Sequence, residues 1–149
     1  MHNPAILYPV FALAGWTALV LLLIPFFRVR AGLRREIVSD DFKYGESAKV
    51  PAYVSISNRN YMNLLELPVL FYVVCLMLYM TQLETQMSLS SSTRMLALAW
   101  TYVGLRVVHS IIHLSYNAVM HRLTAFALSN VVLIILWILT ALQIAHIQV

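Results

Sequence analysis

Charge is scarce in this chain. Only 11% of its 149 residues are Asp, Glu, Lys or Arg, while 61% are hydrophobic and the mean hydropathy is +0.79. A folded soluble domain needs about a quarter of its residues charged, so this composition excludes one and leaves a small polytopic membrane protein. Cysteine is nearly absent as well. Cys75 has no partner and no charged neighbour in sequence, so it reads as an inert packing residue and carries no information on redox compartment. There is no internal repeat and no GxxxG pair within any apolar run. No Lys or Arg precedes the first apolar stretch, which removes the basic flank of a signal peptide and makes that stretch an uncleaved first transmembrane helix.

What is present is four apolar stretches, at 5–27, 61–80, 95–114 and 123–145. Each approaches or exceeds the roughly 20 residues needed to cross the hydrocarbon core as a helix. Their continuity excludes the alternating strands of a barrel. The predicted fold is therefore all-α, an integral membrane four-helix bundle forming one domain over 1–149. Predicted helices run over about 5–27, 51–80, 94–115 and 122–146, with a polar outer loop at 86–93. Pro9, Gly15 and Pro25 are expected to bend or end the first helix, and Pro68 to kink the second. The segment 28–50 carries Arg28, Arg30, Arg34, Arg35, Lys43 and Lys49, whereas the opposite side has only Arg94. By the positive-inside rule this segment is a cytoplasmic loop, and both termini lie on the non-cytoplasmic side. The sequence pI near 9.5 needs no nucleic-acid partner, because juxtamembrane arginines meet anionic membrane lipids.

Two acidic or basic residues, leaving histidine aside, break the apolar pattern. Glu66 lies in the second stretch and Arg106 in the third, and ionisable groups at such depth usually pair or line a functional cavity. Arg59, Asn63 and Glu66 follow a four-then-three spacing, and Arg106, His109 and His113 a three-then-four spacing, so each set shares one helix face. Glu66 and Arg106 each lie seven residues inward of their stripe's outer member, about 10 Å deeper, so they are expected to pair. Arg122 follows at the mouth of the same region. A lone Glu–Arg pair would serve packing as well as ligand binding, but three arginines around one carboxylate favour a polar ligand. His109 and His113 at i and i+4 also fit a metal. No HExxH accompanies them, however, and Arg106 would repel a cation, so no metal is assigned. Ser110 and Ser115 show no nucleophile pattern.

These residues resemble a known family, the membrane-associated proteins in eicosanoid and glutathione metabolism (MAPEG). The segment Arg59-Asn-Tyr-Met-Asn63-Leu-Leu-Glu66, followed by a proline and Phe71, is similar to the family's second-helix motif. Arg106-Val-Val-His109-Ser-Ile-Ile-His113, with Arg122 nine residues on, resembles the third helix and the start of the fourth in the prostaglandin E synthase branch. The resemblance implies a homotrimer that binds glutathione as co-substrate between subunits near the cytoplasmic face. Arg59, Asn63 and Glu66 would contact the tripeptide, Arg106 and His109 would line its pocket, and Arg122 would face the sulfur as the catalytic residue. His113 stands where the eicosanoid branches usually have tyrosine, and Tyr116, one turn on, is expected to supply the missing phenol. Pro68 follows Glu66 more closely than in those branches. Both departures mark a divergent member, expected to be bacterial and seated in the inner membrane. The function implied is a glutathione transferase or peroxidase acting on a lipophilic substrate from the bilayer. The alternative is a non-catalytic module that binds a lipid headgroup or a membrane-protein partner.

Overall fold

The computed structural model describes residues 4–84 and 89–147, with no side-chain description over 82–90 and beyond 145. Its described residues are all helical apart from loops, and four helical spans are long and apolar enough to cross a membrane. We name the helices α1 (Leu7–Leu33), α2 (Ala52–Leu65), α3 (Pro68–Glu84), α4 (Leu89–Leu114) and α5 (Val119–Ile147). Together α2 and α3 make one span, broken in the middle. This is an integral membrane protein, and the exposed large side chains of α1 and α5 include Phe11, Leu22, Ile134 and Ile138, as lipid-facing surfaces require.

Each element outruns or divides its predicted bounds for a local reason. Helix α1 passes through Pro25 and continues beyond Phe27 to Leu33, because Ala31 is buried against Val50 and Val54. It stops where Arg35 turns left-handed at φ 59°. There the amide of Glu36 returns to the Ala31 carbonyl (3.0 Å) and that of Arg35 to Gly32 (2.9 Å), a Schellman closure. The second predicted helix breaks completely at Glu66 and Leu67 instead of kinking at Pro68. Proline offers no N–H and its ring crowds the carbonyl four residues back, so the chain leaves the helix two residues early and Pro68 opens α3. The predicted polar loop is corrected at 89–93, which already form the first turns of α4. Hydroxyl residues suit a helix start as well as a loop. The remainder, 86–88, lies outside the described residues. Helix α5 starts at Val119, three residues before the expected position, after a short reversal in which Asn117 takes φ 49°, a conformation asparagine tolerates.

The main core gathers Leu13 and Val20 of α1, Leu64 of α2, Phe71 and Leu78 of α3, Tyr102 of α4 and Leu136 of α5. Phe71 and Tyr102 stack with centroids 4.5 Å apart. One polar node ties three helices together. The indole N–H of Trp16 (2.9 Å) and the amide of buried Asn60 (2.7 Å) both donate to the Ser110 hydroxyl. Ser110→Ala would strand both donors and is expected to cost about 1–3 kcal/mol. Thermal unfolding in detergent checks this, and an unchanged melting temperature would mean the node contributes nothing.

The segment between α1 and α2 is ordered by its own charges. Arg28 lies 3.5 Å from Glu46 and over the Phe42 ring at 4.4 Å. The backbone amide of Val38, with the Ser47 hydroxyl, holds the Asp41 carboxyl below the usual carboxylate range. A depressed carboxylate stabilises at neutral pH and loses that contribution only as acid protonates it, so this loop closure persists across the neutral range.

Candidate functional site

The break in the second span and the reversal between α4 and α5 meet at one level of the bundle. Between them lies an open cavity of about 490 Å³, within the size range of small-molecule sites. From α2 and the break that ends it come Asn58, Arg59, Met62, Asn63 and Glu66; from α4, His109 and His113; from α5, Val119, Arg122, Leu123 and Phe126. Six of the eight predicted site residues are therefore brought together: Arg59, Asn63, Glu66, His109, His113 and Arg122.

Arg122 is the best-anchored of them. Its Nη1 donates to Asn117 Oδ1 at 2.8 Å and faces His113 Nε2 at 3.4 Å, while its backbone carbonyl lies 2.9 Å from His109 Nδ1. A guanidinium fixed by an amide oxygen and a ring nitrogen keeps its remaining donors for a ligand. Arg59 and Glu66 are exposed to the cavity, and neither joins an ion pair among the described residues, where the pairs are Arg28–Glu46 and Arg34–Glu36. The cavity thus offers two guanidiniums, one carboxylate and the Asn63 amide to a polar ligand.

Two predicted residues are placed elsewhere. Arg106 is wholly buried behind the cavity wall and forms no ion pair with Glu66. Its Nη2 donates to the Asn63 carbonyl, and its guanidinium stands 5.5 Å from the Phe126 ring centroid. The expected pairing fails because the break turns Glu66 outward and frees a carbonyl one turn earlier, which the guanidinium takes instead. Arg106 so links α4 to the α2 and α5 walls. Tyr116 is exposed, with its hydroxyl 3.1 Å from His121 Nδ1, and does not line the cavity. The expectation extends the α4 helical period past its end; α4 stops at Leu114, and the reversal carries Tyr116 away.

The apolar lining has no counterpart among the predicted site residues. Val119, Leu123 and Phe126 flank Arg122 at helical spacing, and Met62 lies between Arg59 and Asn63 on the α2 stripe. A last helix that starts at 119 displays this i, i+3, i+4, i+7 pattern; one that starts at 122 does not. The rings of His109 and His113 stand perpendicular with centroids 6.0 Å apart, each with one nitrogen directed at Arg122.

No curated protein and no solved structure matches the chain. A family model does, that of the MAPEG family, over residues 6–142. With nearly the whole chain matched, four membrane spans, and the Arg59–Glu66 and Arg106–His113 motifs converging on one region, this protein belongs to the MAPEG family.

Proposed function

We propose that this protein is a glutathione-dependent membrane enzyme that activates the thiol in the cavity and delivers it to a lipophilic electrophile or lipid hydroperoxide from the bilayer. The observation that carries this reading is the anchored Arg122 guanidinium in a cavity shared with Arg59 and Glu66. Glutathione brings two carboxylates, one ammonium and one thiol. The carboxylates suit Arg59 and the Asn63 amide, and the ammonium suits Glu66. The thiol reacts as thiolate, and an adjacent guanidinium lowers the free energy of that anion. Met62, Val119, Leu123 and Phe126 give the cavity an apolar side for the second substrate. Family membership supports glutathione as co-substrate and a homotrimer as the assembly. The positive-inside pattern supports a cytoplasmic cavity with both termini on the other side.

Glutathione titration of the purified protein tests the reading, followed by difference absorbance at about 240 nm, where a thiolate absorbs. A saturable band at neutral pH is expected. If glutathione neither gives the band nor raises the melting temperature while anionic lipid does raise it, the cavity is a lipid-headgroup site instead.

A further inference from the structure

We propose that His109 is the base that takes the proton from the glutathione thiol, through Nε2, while Arg122 holds the sulfur. This rests on the glutathione reading above and assigns a step that Arg122 cannot perform, since a guanidinium stays charged and accepts no proton.

The assignment follows from hydrogen-bond chemistry. His109 Nδ1 lies 2.9 Å from the Arg122 carbonyl oxygen. A carbonyl oxygen only accepts, so Nδ1 carries a proton and donates it, which in the neutral ring leaves the lone pair on Nε2. That Nε2 is buried and has no hydrogen-bond partner. His109 is only 4% exposed and yet lines the cavity. A buried acceptor without a donor is costly, and the thiol S–H is the donor that the proposed ligand brings.

His113, one helical turn on, is the competing base, and its surroundings set it apart. Its Nε2 faces Arg122 Nη1, and because guanidinium offers donors only, that lone pair is already engaged. The two imidazoles therefore divide the work. His113 orients the guanidinium, and His109 keeps a free lone pair. His109 also grips the Arg122 backbone, so base and cation are held in one frame.

The proton inventory closes. The S–H bond breaks with its electron pair left on sulfur, an N–H bond forms at Nε2, and the imidazolium then releases its proton to water at the open cavity. Nothing is oxidised or reduced. Arg106 and His113 on α4 and Arg122 on α5 act on the His109 ring, Arg59 and Glu66 line the same cavity, and the Phe126 ring centroid stands 5.8 Å from that of His109. The surrounding positive charge favours the thiolate and drives the proton onward to solvent.

The test is stopped-flow absorbance of thiolate formation on mixing full-length protein with glutathione, beside calorimetric binding, for wild type, His109→Ala and His109→Asn. Loss of a base is expected to slow thiolate formation about 100-fold in both variants. The dissociation constant should change less than about threefold, and added imidazole should restore the rate of His109→Ala in proportion to its concentration. The asparagine amide nitrogen, like His109 Nδ1, is two bonds from Cβ, so that variant keeps the N–H donated to the Arg122 carbonyl while removing the Nε2 acceptor, and guards against a mere packing defect. An unchanged rate in either variant overturns the proposal. So does a slowed rate that imidazole leaves unrescued while affinity falls, which makes His109 a positioning residue for Arg122. Wild-type protein that neither binds glutathione nor forms the band overturns the functional reading itself.

Discussion

Replacing Arg122 by alanine is expected to lower turnover about 100-fold, the scale of removing one fixed donor from a developing anion, while glutathione affinity changes little. The reason lies in what the guanidinium faces. Arg122 is held by Asn117 Oδ1 and His113 Nε2, so it is positioned in advance and, on the proposed glutathione reading, would contribute most when full negative charge forms on sulfur. An interaction stronger in the thiolate state than in the bound thiol acts on rate more than on binding. Arg122→Lys keeps the charge but loses the planar fork that spans Asn117 and the ligand, and is expected to fall between alanine and wild type. Steady-state kinetics with an electrophilic substrate, together with the thiolate band, checks both variants. Unchanged turnover in Arg122→Ala would remove Arg122 from the thiolate role.

Glu66→Gln is expected to weaken glutathione binding about tenfold or more, the loss of one charge-assisted hydrogen bond to the ammonium. Two effects compete here. Glutamine keeps the size and one acceptor of the side chain but removes its charge. It also leaves Arg59 and Arg122 uncompensated in the cavity, which raises the attraction for any anion. The balance depends on whether the ligand has an ammonium. For glutathione the lost pairing dominates; for an analogue lacking the amino group, affinity should rise or hold. Calorimetry with both ligands separates these cases. Equal weakening of both would mean that Glu66 acts on the fold, and unchanged glutathione affinity would remove it from the ligand contacts.

Much of the site is legible in the sequence because it rests on one local rule. Helical period alone sets Arg59 and Asn63 on one face and His109 and His113 on another, and the cavity collects these four with Arg122 and with Glu66, which stands at the break. The misplacements have a different origin. Matching depths pairs Arg106 with Glu66, but depth is one coordinate and does not say which acceptor a guanidinium meets. Tyr116 joins the site only if α4 continues beyond Leu114, where it stops. The apolar side of the cavity stays hidden when the last helix starts at 122, because Val119 then falls outside it and the spacing from Val119 to Phe126 is lost.

The sequence by itself determined that this protein spans a membrane four times, since run length and apolarity are properties of contiguous residues compared with a fixed bilayer thickness. It also determined which polar residues share a face, since that depends only on residues per turn. Tertiary structure alone decided the partners. The break at Glu66 and Leu67 frees the Asn63 carbonyl for Arg106, and the reversal at Asn117 sets one imidazole against the Arg122 backbone and the other against its guanidinium. Partner choice is short-ranged and directional, so it follows from where breaks and turns place donors and acceptors in space. That separates His109 from His113, two residues of one type, one helical turn apart.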